Sequence, residues 1–166
     1  MKPEAVRLLF AYAYWGWDVM WRSIEQISDE QFTQAIDYSR GSIRHQCVHM
    51  ISATLRWLDR LQERDARPNL DYADFGTRES VREVWKSFKQ EANAYLATLT
   101  EADLNATIHW GLPARGIEAD TPRWQILTHA ANHLTDHRAQ VLAMLNSAYE
   151  VETYEQDMLF FLLEQA

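Results

Sequence analysis

The sequence contains one cysteine, Cys47, in 166 residues. A single cysteine excludes an internal disulfide and any zinc site built from several cysteines. Cys47 falls on the apolar face of its segment, which predicts a buried thiol rather than a nucleophile. Neither a disulfide framework nor a cluster of thiolates therefore organises this chain.

Positive charge is scarce, and long apolar runs are absent. The chain has 16 basic and 24 acidic side chains, a formal charge of −8 and a pI near 5.2. With no basic cluster to neutralise phosphates, duplex nucleic acid is a poor partner. A membrane span needs about 20 consecutive apolar residues, whereas residues 1–22 are broken by charges and patterned as a helix rather than a signal peptide. The sequence predicts a cytoplasmic protein without a membrane or nucleic-acid partner.

Apolar residues recur at helical spacing in four long segments. The predicted helices lie near residues 4–27, 42–62, 78–99 and 122–147. Ser42 and Thr77 are predicted to cap the second and third helices, and Thr121-Pro122 is a start signal for the fourth, a cap followed by a first-turn proline. Each apolar stripe needs a partner, so the pattern predicts an all-α four-helix bundle.

The connecting segments complete the expected architecture. Residues 63–76 read as a long crossover connection, and a capping pattern at Ser28 predicts a short accessory helix. Residues 104–118 are irregular, with a β-like run at Thr107–Trp110, and residues 157–163 predict a short packed helix. The length and the 47% apolar content fit a single domain over residues 1–166.

The fourth predicted helix carries His129, His133 and His137, each four residues after the last. His133 and His137 fall inside the apolar arc of this helix, whereas His129 falls outside it. Two imidazoles one turn apart can bind one metal ion. Without a metal, each buried ring nitrogen would need another partner. The alternative is a histidine-rich helix surface that binds no ion.

A metal site in a bundle also needs a ligand from a facing helix. His45 and His49 are the only other histidines on a predicted long helix. Both lie off the main apolar stripe, so periodicity selects neither of them. For His49, a solvated histidine is the interpretation that periodicity favours.

The residues of the fourth helix also carry a family resemblance. The run WQILTHAANHLTDHRAQ, residues 124–140, resembles the signature of the DinB-like family, named for damage-inducible proteins. Looser similarities extend to Ser42–Met50, to Leu55–Leu58 and to the tail from Asp157. The resemblance covers most of the chain and implies a four-helix bundle that is often dimeric.

The resemblance also implies a metal site. Such proteins hold a divalent metal with one histidine from the second helix and two from the fourth. The matching positions are His49, His133 and His137. His129 matches a position that is commonly histidine but is not usually a ligand. Arg138 and Gln140 match an Arg-x-Gln pattern, and we interpret them as groups that support the ligands or the fold.

Three neutral imidazoles would leave a divalent ion with its full charge and at least one open position, which is typical of catalytic sites. Zinc or nickel is expected, with iron or manganese as alternatives. The hypothesis is a metal-dependent enzyme acting on a small molecule, either a transferase that uses a low-molecular-weight thiol, as the resemblance suggests, or a hydrolase. The alternative is a non-catalytic metal-binding stress-response protein. No general base is identified, since Asp136 is predicted to point away from the ligands.

The first predicted helix has more aromatic residues than one core-facing stripe uses. They lie on more than one side of the helix and include Tyr12, Tyr14, Trp15, Trp17 and Trp21. This surplus predicts a homodimer that buries part of it. The alternative is that Tyr12 and Trp15 line or cover the site.

Overall fold

Four long helices form the frame of the structure, a computed structural model that describes residues 1–165. The elements in chain order are α1 Pro3–Ile24, α2 Asp29–Thr33, α3 Ile43–Leu61, α4 Arg78–Thr98, α5 Glu101–Asn105, β1 Thr107–Leu112, β2 Ile117–Pro122, α6 Arg123–Tyr149 and α7 Met158–Glu164. Short 3₁₀ turns occur at Tyr72–Asp74 and Pro113–Arg115. The mainly α-helical bundle predicted from periodicity is confirmed.

Packing of the long helices places α6 between α1 and α3, while α4 packs on α3 and α1. The buried faces of these helices meet in one core. At the start of α3, Ser42 Oγ accepts the backbone N–H of His45, and Thr77 caps α4 in the same way. Both caps confirm the predicted starts of these helices. None of the helices in residues 1–165 has the length and apolarity that a bilayer span requires.

The segment before α6 differs in part from the prediction. The β-like run predicted at Thr107–Trp110 is confirmed as part of β1, and residues predicted to be irregular extend it to an antiparallel hairpin in which Thr107 lies opposite Pro122. The predicted cap and first-turn proline at Thr121-Pro122 is wrong, because Pro122 ends β2 and α6 begins at Arg123. The Thr121 hydroxyl accepts a hydrogen bond from Trp110 Nε1 at 3.0 Å. It is therefore used within the hairpin instead of at the helix end.

The connection between α3 and α4 is fixed by ion pairs. Asp59, near the end of α3, is 4% exposed. Arg67 donates to it from Nε at 2.7 Å and from its backbone N–H at 2.9 Å. The same guanidinium reaches Glu91 of α4 at 2.6 Å, and Arg64 bonds to Asp59 at 3.1 Å. The carboxylates and guanidiniums thus hold the connection against both helices.

The C-terminal helix covers part of α1. Phe161 of α7 is buried against Tyr12 and Trp15, with ring centroids 5.8 and 5.9 Å away. Trp15 Nε1 also donates to Glu164 at 2.7 Å. The surplus aromatic surface of α1 at Tyr12 and Trp15 is therefore covered by the same chain.

Candidate metal centre

Three histidines from two helices converge on one point at the α3–α6 contact. His133 and His137 lie one turn apart on α6, and His49 faces them from α3. One ring nitrogen from each histidine lies within 4.8 Å of the other two. Ring centroids are separated by 4.3 Å for His133 and His137, 4.6 Å for His49 and His137, and 5.1 Å for His49 and His133. The arrangement brings together all three residues selected from the sequence.

His137 is held by a buried amide that the sequence analysis did not identify. Its Nδ1 lies 2.7 Å from Gln46 Oε1, and Gln46 is 0% exposed. Because an amide oxygen can only accept, Nδ1 carries the proton and Nε2 keeps its lone pair. A hydrogen bond of this kind fixes the tautomer and the orientation of a metal-binding imidazole.

Gln46 is itself fixed by a polar network between α3, α6 and the loop before α3. Its Nε2 donates to Gln140 Oε1 at 2.9 Å and to Ser39 Oγ at 2.8 Å. Ser39 Oγ also bonds to Gln140, and Gln140 donates to Asp136 at 3.2 Å. Gln140 therefore supports the orientation of His137 through Gln46. Asp136 is exposed, as its predicted direction implies, and within residues 1–165 its side chain is hydrogen-bonded to Gln140.

The other two rings differ in their partners. Arg40, in the loop before α3, donates from Nη2 to His49 Nε2 at 3.0 Å. His133 Nδ1 is buried and has no hydrogen-bond partner within residues 1–165. A buried ring nitrogen without a partner costs free energy. A metal ion could satisfy this nitrogen only in the tautomer that leaves its lone pair free, with the ring proton on Nε2.

The environment keeps all three imidazoles neutral. Burial lowers the pKa of His49 to about 3, with further contributions from Arg40 and the two facing histidines. Burial, together with the neighbouring His137, lowers the pKa of His133 to about 4. Burial also lowers the pKa of His137. At neutral pH the rings carry lone pairs instead of second protons, which is the form that binds metals.

The remaining histidines of the two helices lie outside this cluster. His129 is exposed, and its ring packs edge-on against Trp57 with centroids 5.1 Å apart. His45 stacks on Tyr72 with centroids 3.9 Å apart. The periodicity of α6 selects His133 and His137 and sets His129 apart. The structure shows the same separation, since His129 lies outside the cluster.

Arg138 supports the fold at a different contact. Its guanidinium is buried between α6 and α1, where Nη2 donates to Tyr12 Oη at 2.8 Å. A Cβ at Gly16 would lie 2.1 Å from Arg138 Nη1, so only glycine leaves room for it. Tyr12 Oη in turn donates to the backbone carbonyl of Gln156 at 2.8 Å. The alternative that Tyr12 and Trp15 line or cover the histidine site is wrong, because their partners are Arg138 and α7.

Comparison with known proteins agrees with the residues of α6. The family model described as "DinB family" matches residues 1–153. The chain belongs to the DinB family. This membership confirms the resemblance found in residues 124–140.

Two relatives in this family can be compared directly. Protein DinB of Bacillus subtilis (strain 168) is 24% identical over 145 residues, which cover 84% of each protein. The crystal structure of a DinB-like protein from Bacillus cereus ATCC 10987 superposes with a TM-score of 0.63 at 15% identity, covering 92% of this chain and 95% of that chain. The likeness in structure supports the DinB-like fold.

Proposed function

We propose that this protein is a metal-dependent enzyme that binds one divalent ion through His49, His133 and His137. The observation that supports the proposal is the convergence of three neutral imidazoles from α3 and α6 on one point. The hydrogen bond to Gln46 that orients His137 is typical of such a site, and the buried, unpartnered His133 Nδ1 means that the fold alone leaves this ring incompletely satisfied within the described residues. The residues present therefore fit a divalent ion.

Zinc or nickel is the proposed metal, with iron or manganese as alternatives. Imidazole nitrogen suits zinc, nickel and iron, whereas manganese favours carboxylate ligands. Three neutral ligands would leave the charge of the ion uncompensated and a position open to another molecule. Bound at that position, a water or thiol becomes more acidic.

Between the two reaction classes, thiol transfer to a small-molecule substrate fits the site better than hydrolysis. Within residues 1–165, the hydrogen-bond partners of the three rings are Arg40 and Gln46, and no carboxylate is among them. A hydrolase commonly uses a general base beside the bound water. A low-molecular-weight thiol loses its proton on binding a metal and needs no such base.

A non-catalytic metal-binding protein of the stress or damage response is the second candidate. The lack of a carboxylate at the cluster within the described residues also agrees with this function. The open coordination position argues against it, because structural zinc sites usually have four protein ligands.

Metal content and turnover would separate these functions. Elemental analysis of the purified protein should give one transition-metal ion per chain, and a chelator should remove it. The loaded protein should transfer a low-molecular-weight thiol to an electrophile and should lose this activity on chelation. Bound metal without turnover of any electrophile tested would favour the non-catalytic function, and protein with no affinity for a divalent metal would contradict both.

We also propose that the protein forms a homodimer. The aromatic surface of α1 that predicted it is covered at Tyr12 and Trp15 by α7 of the same chain, so the interface proposed is the outer face of α7. Its apolar side chains are exposed, at 58% for Leu159, 45% for Phe160, 41% for Leu162 and 64% for Leu163. Exposed apolar patches are typical of interfaces. Light scattering at micromolar concentration should give twice the chain mass, and Leu159→Ser with Leu163→Ser should give monomers. A monomeric parent protein would contradict the dimer.

The proposed site of action is the cytoplasm. Cys47 is a buried free cysteine, and burial raises the pKa of its thiol. An acidic protein with free thiol and no disulfide fits a reducing compartment. Cell fractionation with an antibody against the protein would test this location.

A further inference from the structure

A cleft opens beside His49 on the surface of α3. Its volume is about 490 Å³, which is within the range of roughly 300–1,000 Å³ typical of small-molecule sites. The cleft lies between the loop that carries Arg40, the outer face of α3 and the segment Asn69–Tyr72. Since His49 lines it, a molecule in the cleft can reach the histidine cluster.

Among the described residues that line the cleft, Arg40 is the one with a guanidinium or ammonium group. Its guanidinium lies 3.0 Å from His49 Nε2 and forms no ion pair with a carboxylate of residues 1–165. The acidic residue that lines the cleft, Asp71, uses Oδ1 to accept the backbone N–H of Ala73. An exposed arginine without a carboxylate partner is able to bind an anion in two parallel hydrogen bonds.

The backbone that carries Arg40 is anchored to the metal-binding residues. Ser39, the preceding residue, bonds to Gln46 and to Gln140, the two amides that orient His137. Gly41, the next residue, adopts a φ of 82° and allows the chain to turn into α3. The guanidinium is therefore presented from a fixed loop, which lowers the entropic cost of binding a ligand.

Charge decides what this arrangement attracts. In the structure the Arg40 guanidinium donates to the Nε2 lone pair of His49. Because a neutral imidazole has one lone-pair nitrogen, an ion that binds His49 through Nε2 would displace the guanidinium from that atom, and two cations would then lie close together beside the ring. Like charges several ångströms apart near a protein surface repel each other. An anionic group between or beside them is attracted by both.

On the basis of the proposed function, we propose that Arg40 recognises a carboxylate on the small molecule that reaches the metal. The substrate class is therefore a carboxylate-bearing thiol or a carboxylate-bearing electrophile that binds in the cleft beside His49. Arg40 acts as a specificity-determining residue, and the cleft supplies the volume for the rest of the molecule.

The test uses the full-length protein loaded with Co²⁺, because thiolate binding to cobalt is visible in the absorption spectrum. Two probes of similar shape are titrated, 3-mercaptopropionate and its uncharged methyl ester. The ratio of their dissociation constants is compared between proteins, which cancels differences intrinsic to the thiols and to the ion. Arg40→Gln should shift this ratio against the carboxylate by about tenfold, as expected for loss of a charge-assisted hydrogen bond worth about 1.4 kcal/mol.

Two further variants make the comparison specific. Arg44→Gln removes the same charge four residues away, from a guanidinium that lies over the ring of Tyr72 and does not line the cleft. This control should keep the ratio of the parent protein. Arg40→Lys keeps the charge but loses the planar pair of donors, and it should give an intermediate ratio.

A second measurement does not involve thiols. In their absence, Arg40→Gln should bind Co²⁺ more tightly than the parent, because one cation next to the ion has been removed. Circular dichroism would establish that each variant is folded.

Each outcome has a separate meaning. If Arg40→Gln binds the metal and keeps the parent ratio of the two dissociation constants, the role of Arg40 is overturned and the proposed function stands. An equal shift in Arg44→Gln would also overturn it, since general charge would then explain the preference. If the parent protein does not bind Co²⁺ at all, the proposed function fails, and the role of Arg40 fails with it.

Discussion

Two polar clusters are built on the same helix, α3, and they are completed in opposite ways. Near its end, the buried Asp59 meets Arg67 and Arg64, and Arg67 continues to Glu91. Burial alone would raise the pKa of Asp59, but the hydrogen bonds from Arg67 outweigh it and hold that pKa below its ordinary value. Nearer the start of α3, His49 faces two histidines and donates to no carboxylate within residues 1–165, while its Nε2 accepts from Arg40.

The difference separates a structural cluster from the candidate metal centre. In the first, each charge has a partner of opposite sign, so the native state is stabilised without any ligand. In the second, burial and like charge keep the rings neutral, and one ring nitrogen has no partner among the described residues. Perturbed groups that the fold leaves unsatisfied are typical of functional sites. The predictions below alter one cluster or the other.

The largest effect is expected for metal affinity. His137→Ala removes one of three proposed ligands and the ring that Gln46 orients, and metal affinity should fall by about 100-fold or more. Competition with a chromophoric chelator would measure it. His129→Ala and His45→Ala are matched controls and should keep the parent affinity. Loss of the metal in the controls, with retention in His137→Ala, would place the site elsewhere.

A smaller loss is expected when the structural cluster is broken. Arg67→Ala leaves Asp59 buried with one of its two guanidinium partners, and the free energy of unfolding should fall by about 2–3 kcal/mol. Urea denaturation would measure it. Arg64→Ala is the control, because that side chain is 52% exposed, and its loss should cost about 1 kcal/mol or less. Equal losses in the two variants would contradict the central place of Arg67.

The metal-free protein should lose stability as the pH falls below about 6.5. Folding lowers the pKa of His49 to about 3 and that of His133 to about 4. Between those values and the ordinary histidine pKa of about 6.5, the unfolded chain binds protons that the folded chain does not. The free energy of unfolding should therefore decrease in this window by up to about 1.4 kcal/mol per pH unit for each of the two histidines, while remaining at its full value above it.

Denaturation with a chelator present, at several pH values, would show this slope. His133→Leu should reduce the slope, since one of the groups responsible is gone. An unchanged slope in that variant would contradict the assignment of the pH dependence to the histidine cluster.

The smallest effect is expected for the stability of His133→Leu at neutral pH without metal. Leucine removes the unpartnered Nδ1 and keeps an apolar side chain of similar reach, so the free energy of unfolding should stay within about 1 kcal/mol of the parent value or rise slightly. Metal affinity should fall as for His137→Ala. A loss of several kcal/mol in the metal-free state would show that His133 also supports the fold.

The long helices could be predicted because each buries one continuous stripe of apolar residues. The errors at the end of α1 and before α6 have local causes. Ile27 is 4% exposed and keeps the helical spacing, although α1 ends at Ile24. Strand β2 is almost wholly exposed or half-buried, so it lacks the alternation that identifies strands. Its pairing with β1 depends on backbone hydrogen bonds, which leave little trace in the side-chain pattern.

The site was only partly predictable from local pattern. His133 and His137 lie on the buried side of α6, and the periodicity selects them. His49 lies beside the main stripe of α3, because the histidines meet at the margin of the helix contact and not at its centre. The resemblance was therefore needed to choose it.

Two residues beside the cluster were missed for different reasons. Gln46 follows Ile43 by three residues and precedes Met50 by four, which is the spacing of the buried face of α3. A polar residue at such a position is a signal in the sequence for a buried hydrogen bond. Arg40 lies on an exposed loop, and periodicity contains no information about such a position.

The hydrogen bond between Gln46 and His137 joins residues that are 91 positions apart in the chain. The histidine cluster therefore exists only after α3 and α6 have found each other across most of the sequence, and an unfolded chain offers no assembled site. An ion that binds only the assembled helices stabilises the native state by mass action. If the cluster forms after the rate-limiting step of folding, the bound ion should lower the unfolding rate and leave the folding rate almost unchanged. Metal would then determine the lifetime of the native molecule.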